Sequence, residues 1–280
     1  MNIKLLITDL DNTLYDWVSF YSASFMAMVN AISGETGINK MTLLDEYKSI
    51  HRKYKNTEQP FATLDVPSIQ KYYNCSDRLE LNKKLSYAFE AFSNKRFETL
   101  KLYDGVEETL RILKGNGVVI VGHTESFEYN AMYRLNKLGI LPYFKHVYTL
   151  RDFNKTHPDL LSAPVYHNYD DIVKHLEISQ RKPNPALLTH ICEKEGVDIA
   201  KSMYVGDSLS KDISMAQQIG MKTGWASYGR VFDNEAWDIL LAITHWDEND
   251  AKREKEISLM YKNVKPEITL NNFSDILNYV

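Results

Sequence analysis

Two aspartates, Asp9 and Asp11, follow directly on the apolar run Ile3 to Ile7. A carboxylate in an apolar setting is costly unless it is paired, hydrogen-bonded or bound to a metal. A doublet at the end of a buried strand therefore asks for a cation or an electrophile beside it. The plainer alternative is that one of the two caps the turn or helix that follows. The same arrangement of an apolar run ending in small or polar groups recurs twice. Val118 to Val121 leads into Gly122-His123-Thr124, and Met203 to Val205 into Gly206-Asp207-Ser208.

The elements that must position these groups are short runs rich in β-branched residues, each too short for a solitary helix and each followed by a helical pattern. They predict buried parallel strands, with His146 to Leu150 and Met221 to Trp225 as two more. Ligands of an open α/β sheet bind outside the carboxyl ends of its strands, so the three polar termini converge on one site. From Trp17 to Phe97 no strand pattern is visible; helical stretches lie at Phe20 to Ser33, Thr42 to Tyr54, Val66 to Tyr73 and Leu79 to Arg96. This is an inserted helical module. Ala186 to Glu195 and Lys211 to Ile219 continue the helix and strand alternation of a doubly wound sheet. The expected organisation is a discontinuous core of residues 1–16 and 100–280 with a helical domain at 17–99.

Composition sets the class. The 280 residues are 44% hydrophobic and 25% charged with a net charge of −4, which gives no electrostatic reason for a nucleic acid or an acidic membrane surface as partner. There are two cysteines without paired spacing, no signal-peptide pattern and no apolar stretch of membrane-spanning length, so the expectation is a reduced, cytoplasmic protein. Monomer and homodimer both remain open.

Asp9-x-Asp11-x-Thr13, Thr124 at the second strand end, Lys182 in Arg-Lys-Pro-Asn-Pro, and Gly206-Asp207 followed by Asp212 occur in that order. They resemble the four motifs of the haloacid dehalogenase superfamily, and the helical insertion after the first motif is similar to the subclass with a cap domain there. The resemblance implies a three-layer α/β/α Rossmann-like parallel sheet core with an inserted α-helical cap. It also implies a magnesium-dependent phosphohydrolase acting on a small phosphomonoester of nucleotide or sugar phosphate type. A phosphomutase on the same scaffold and a non-catalytic phosphate-binding protein are the alternatives.

Within this pattern Asp9 is the nucleophile that attacks phosphorus, and Asp11 is the general acid and base, its protonated form favoured by neighbouring negative charge. The resemblance implies Mg2+ held by the side chains of Asp9 and Asp207 and the main-chain carbonyl of Asp11, with Asp212 orienting that shell. Thr124 and Lys182 suit the charge spread over a transferred phosphoryl group, joined by Asn12 and the main-chain amide of Glu125. Thr13 and Ser208 support the loops. The Glu125 side chain departs from the family pattern, since a carboxylate close to phosphate is repelled unless it turns away or binds a cation.

Tyr15, Trp17, Phe20, Tyr21, Met26 and Met28 at the entry to the helical module are expected to pack as core. The functional alternative is that Tyr15, Trp17 or Tyr21 faces the cleft and selects the leaving group. Phe153 to Ser179, with His157, His167 and His175, reads as a long surface excursion, with a substrate-contacting flap as the alternative.

Overall fold

A computed structural model of the chain describes residues 3–58, 62–151 and 169–280. A single parallel sheet of seven strands runs through its centre in the order β4-β3-β2-β1-β5-β6-β7. The strands are β1 (Leu5–Thr8), β2 (Val119–Phe127), β3 (His146–Leu150), β4 (Val173–Leu176), β5 (Ser202–Gly206), β6 (Lys222–Ala226) and β7 (Ile268–Leu270). Leu5 and Ile7 of the central β1 pack on one side with Val121 and Tyr204, while Leu6 packs on the other with Ile120 and Met203. A strand covered on both faces must be apolar throughout instead of on alternate residues. Each such side chain contributes roughly 1.5–3 kcal/mol on burial.

From β1 the sheet grows outward through β2 and β3 to β4, and the chain then returns to the other side of β1 with β5. The connections leaving β1 and β5 therefore diverge, and a crevice opens at the carboxyl ends of these two strands. Ile7 pairs with Val121 on one side and Tyr204 on the other, which sets Asp9, Thr124 and Asp207 at neighbouring strand ends. β2 continues beyond Thr124 to Phe127, with its register against β3 broken between His123 and Phe127.

The two edge strands do not announce themselves in the sequence. β4 lies within 153–179, and only Val173 and Leu176 of its four residues are buried. β7 has three residues. His157 and His167 lie outside the described residues, whereas His175 pairs with Glu128 at 2.7 Å.

Between β1 and β2 the described regular elements are helices: α1 (Trp17–Thr36), α2 (Lys40–Tyr54), α3 (Pro67–Tyr73), α4 (Arg78–Lys84), α5 (Ser86–Thr99) and α6 (Val106–Gly115). Asp16 starts α1 by accepting from the Ser19 amide at 2.9 Å, and Gly37 in the left-handed region ends it. The stretch Leu79 to Arg96 expected as one helix is two, broken at the fully buried Leu85. Phe20, Tyr21 and Met28 are buried and Met26 partly so, as the packing expectation requires.

Helices α7 (Glu128–Lys137), α8 (Pro185–Glu195) and α9 (Ser214–Gln218) connect the remaining strands. Two more, α10 (Asn234–Ile243) and α11 (Glu248–Met260), stand between β6 and β7. α10 leans on α1 and α2 instead of on the sheet: Ser22 Oγ donates to the Ala236 carbonyl at 2.7 Å and His51 Nδ1 to that of Ile243 at 2.7 Å. α11 reaches the opposite way, with Arg253 donating to the Lys182 carbonyl at 3.1 Å and Glu254 pairing with Lys211 at 2.8 Å. No described helix is long and apolar enough to cross a membrane.

Burial pushes His51 down to about 4, against the pull of the Ile243 carbonyl, so the folded chain holds it neutral. An unfolded histidine titrates near 6.5, so between about 6.5 and 4 the unfolded state binds the extra proton and stability falls as pH falls. We expect this one group to remove about 3 kcal/mol over that interval. Urea unfolding of wild type and His51→Asn, which keeps a donor to Ile243, at pH 7 and pH 4 checks it; an equal acid loss in both chains contradicts the assignment.

Candidate active site

Three carboxylates meet at the crevice. Oxygens of Asp9, Asp207 and Asp212 all lie within 4.8 Å of one another, and all three residues are buried. The backbone explains why. Asp9 leaves β1 with its N–H on the Val205 carbonyl at 2.8 Å, which ties the first loop to β5. Gly206 has no side chain because Asp212 folds back over it; a Cβ there would stand 2.4 Å from Asp212 Oδ2. Ser208 fixes that fold, donating its N–H to Asp212 Oδ2 at 3.0 Å and accepting from the Lys211 N–H at 3.2 Å. Gly229 likewise allows the close approach of two loops, since a Cβ on it would lie 1.7 Å from the Asn12 carbonyl oxygen.

Lys182 enters this cluster from the segment before α8. Its ammonium lies 2.6 Å from Asp9 Oδ1 and 2.8 Å from Asp212 Oδ1, with only 4% of the side chain exposed. Asp212 Oδ1 also accepts from the Tyr204 hydroxyl at 3.2 Å, and that hydroxyl meets His123 Nδ1 at 3.2 Å. Burial, and then the charge of Lys182, hold His123 neutral. Arg230 approaches Asp207 more loosely, at 3.3 Å, with half of its side chain in solvent.

Burial presses Asp9 toward its protonated form, and the carboxylates of Asp212, Asp207 and Asp11 add to this while Lys182 opposes it. Asp207 is pushed up to about 6 by burial and by Asp212, against Arg230. Three buried carboxylates thus share one buried cation and one half-exposed one. Hard oxygen donors, clustered and short of positive charge, suit a divalent ion of the magnesium type. Asp212 belongs to this cluster by geometry as much as Asp9 and Asp207 do, although its link to Lys182, Tyr204 and Ser208 also suits the orienting part expected for it.

The second aspartate lies in a different environment. Asp11 Oδ2 accepts from Ser126 Oγ at 2.7 Å and from Thr124 Oγ1 at 3.4 Å, and Oδ1 is paired with Arg134. Arg134 comes from α7 and is almost wholly buried. Its other terminal nitrogen binds both oxygens of Glu58, at 2.9 and 2.6 Å. Glu58, in the segment after α2, is held further by Trp17 Nε1 at 2.5 Å and Asn130 Nδ2 at 3.0 Å.

The structure thus brings Asp9, Asp11, Thr124, Lys182, Asp207, Ser208 and Asp212 to one place. Other expected residues have other engagements. The side-chain oxygen of Asn12, which sits in the left-handed region, accepts from the N–H of Trp17 at 3.1 Å, and its own N–H is taken by the Tyr15 carbonyl, so it supports the first turn of α1 that Asp16 starts. The Glu125 carboxylate turns away, accepting from the Lys182 N–H at 3.0 Å and from Lys211 at 3.4 Å. Thr13 is buried, and its carbonyl accepts from Tyr228 at 2.7 Å. Tyr15 is buried near Asp11; burial first, then that charge, raises its phenol. Trp17 reaches the site through Glu58, whereas Tyr21 bonds the Thr57 carbonyl at 2.5 Å and stacks under Trp17.

Arg134, Glu58, Ser126 and Tyr204 were not expected. Arg134 stands in a helix that reads as amphipathic surface, and Tyr204 in a strand that reads as core. Ser126 carries the one local signal, two residues beyond Thr124 on the same strand.

Residues 3–220 match the family model for haloacid dehalogenase-like hydrolases. A glyceraldehyde 3-phosphate phosphatase of Methanopyrus kandleri is 25% identical over 83% of this chain and 88% of its own. A phosphoglycolate phosphatase of Pseudomonas fluorescens is 25% identical over 81% of this chain and 70% of its own. In fold the chain is similar to a 2-haloacid dehalogenase of Pseudomonas syringae, with a TM-score of 0.55, 20% identity and 99% and 97% of the two chains covered.

Removing Lys182 leaves the carboxylate cluster without its buried counter-charge. Lys182→Met is expected to lower stability by roughly 3–5 kcal/mol at neutral pH in the presence of a chelator. Urea unfolding measures this, and a loss below about 1 kcal/mol contradicts the compensating part given to Lys182.

Proposed function

For a chain that belongs to the haloacid dehalogenase-like hydrolases, we propose the activity of a magnesium-dependent phosphohydrolase cleaving a small phosphomonoester. One observation carries this reading: Asp9, Asp207, Asp212 and Lys182 converge beside a second carboxylate, Asp11, that keeps its own separate partners. A binding protein for phosphate has no need of five such groups in this arrangement. The relatives' names support a substrate of small size, a triose phosphate in one and phosphoglycolate in the other.

The Asp9 carboxylate attacks phosphorus, forming the Asp9 oxygen–phosphorus bond as the ester oxygen departs. Lys182 grips Oδ1 of Asp9 and so orients the group for in-line approach. Asp11 delivers a proton to the departing oxygen, then takes one from the water that cleaves the aspartyl-phosphate and returns Asp9. The Thr124 hydroxyl, one bond from Asp11, and the Lys182 ammonium meet the charge on the equatorial oxygens. Asp9 and Asp207, with Asp212 behind them, would hold the magnesium ion, which supplies further positive charge to the phosphoryl oxygens. Residues 17–99 form the cap that closes over the leaving group and excludes water. Cys75 and Cys192, both free thiols, suit work in the cytoplasm.

Asp9→Asn is expected to cut the turnover of p-nitrophenyl phosphate by at least about a thousandfold while unfolding stays cooperative. Near-normal turnover by that variant rules out the nucleophile. Exhaustive chelation is expected to abolish wild-type activity and added magnesium to restore it, with Asp207→Ala needing far more magnesium. Activity that survives both treatments removes the metal from the scheme.

A further inference from the structure

The charges beside Asp11 bear on which leaving group the enzyme accepts, an inference that rests on the phosphohydrolase reading. The leaving oxygen must lie against the Asp11 carboxylate, because that group protonates it. Whatever the oxygen is attached to therefore meets the neighbours of Asp11. Among the described residues the charged ones are Arg134 and, through it, Glu58.

Arg134 is engaged from within the chain on each of its three nitrogens. Its Nε donates to the Asn130 carbonyl at 3.0 Å, Nη1 to Asp11, and Nη2 to both oxygens of Glu58. An arginine beside an active site commonly receives a carboxylate or phosphate in a bidentate grip. Here the two terminal nitrogens that would make that grip are already engaged from within the chain, Nη1 by Asp11 and Nη2 by Glu58 of the helical layer. Glu58 is itself fixed by Trp17 and Asn130, so it does not readily make way. With Asp11 carrying the proton it delivers, Glu58 cancels Arg134, so the group has no net positive charge to draw an anion into a largely buried setting.

We propose that Glu58 is a specificity-determining residue: by occupying Arg134 it makes the enzyme select phosphomonoesters whose leaving group is uncharged and hydroxyl-bearing, and reject those with a carboxylate close to the ester oxygen. Asn130, which gives one amide hydrogen to Glu58, offers the rest of its side-chain amide to the hydroxyls of such a leaving group. Loss of the Glu58 charge frees Arg134 for the carboxylate, so the preference weakens through a residue that makes no contact with phosphate.

Two ester pairs of nearly equal shape test this. They are 2-hydroxyethyl phosphate against phosphoglycolate, and glycerol 3-phosphate against 3-phosphoglycerate, each assayed with magnesium for kcat/KM in wild type, Glu58→Gln and Glu58→Asp. The ratio of neutral to carboxylated ester within one protein cancels any loss of folded enzyme. Wild type is expected to favour the neutral ester at least about tenfold, Glu58→Gln to lower that ratio about tenfold or more, and Glu58→Asp to keep it on the neutral side. A wild-type preference for the carboxylated esters, or a ratio unmoved in Glu58→Gln, overturns the inference while leaving the phosphohydrolase reading intact. If wild type cleaves none of the four esters nor p-nitrophenyl phosphate, both fall together. Should Glu58→Gln not fold, the wild-type ratios decide alone.

Discussion

An ammonium group held between two buried carboxylates, Lys182 between Asp9 and Asp212, is the contact on which the arrangement turns. Neither carboxylate is stable in this position alone, because desolvation favours the neutral form. The lysine arrives on a segment that sequence places far from both, so the contact closes only when β1, β5 and the approach to α8 are all in place. Much of the local architecture serves it: Gly206 leaves room for Asp212, Tyr204 lends a hydroxyl from the middle of a core strand, and Ser208 fixes the turn. A sheet built from apolar strands thereby ends in a patch of concentrated charge, and the patch is tolerated because each member has a partner.

Asp11 is two residues from Asp9 yet belongs to a separate network. Residues two apart on an extended strand share a face, but β1 ends at Thr8 and the chain turns by Asn12, so the two carboxylates of the doublet address different neighbours. One meets Lys182 and the strand ends; the other meets Ser126, Thr124 and Arg134. Under the proposed chemistry the division lets one acid be held for attack on phosphorus while the other handles protons, although both stand on the same short loop.

Much of this was legible in the sequence. The apolar runs before Asp9, Thr124 and Asp207 gave away three strands and their shared end, since fully buried parallel strands carry an unmistakable composition. The helical module between β1 and β2 was equally plain from its period. The edge strands β4 and β7 were not, being three or four residues long with half of their surface outward. Nor was the pair of Arg134 and Glu58, whose members lie on a helix and in a loop, far apart in the chain. Each reads as an ordinary exposed charge until the fold sets them face to face. The Asn12 side chain, placed where the motif pattern suggested phosphate, accepts from backbone at the start of α1, while the Glu125 carboxylate turns away, as its departure from that pattern required.

The insertion between β6 and β7 bears on how the helical layer can move. A layer joined to a core by two chain crossings, here near Asp16 and Leu100, is free to rotate about the line through them. α10 adds further attachments: Ser22 and His51 bind it from the layer, and Thr57 holds His245 just beyond it, while α11 is bonded to Lys182 and Lys211 on the core side. The chain thus crosses again on either side of α10, before Asp233 and at Asp247, where α11 begins. Each added crossing restricts that rotation. Any opening of the layer must bend the backbone around Asp247 or break the bonds to α10, so closing over the leaving group regains contacts that opening gives up.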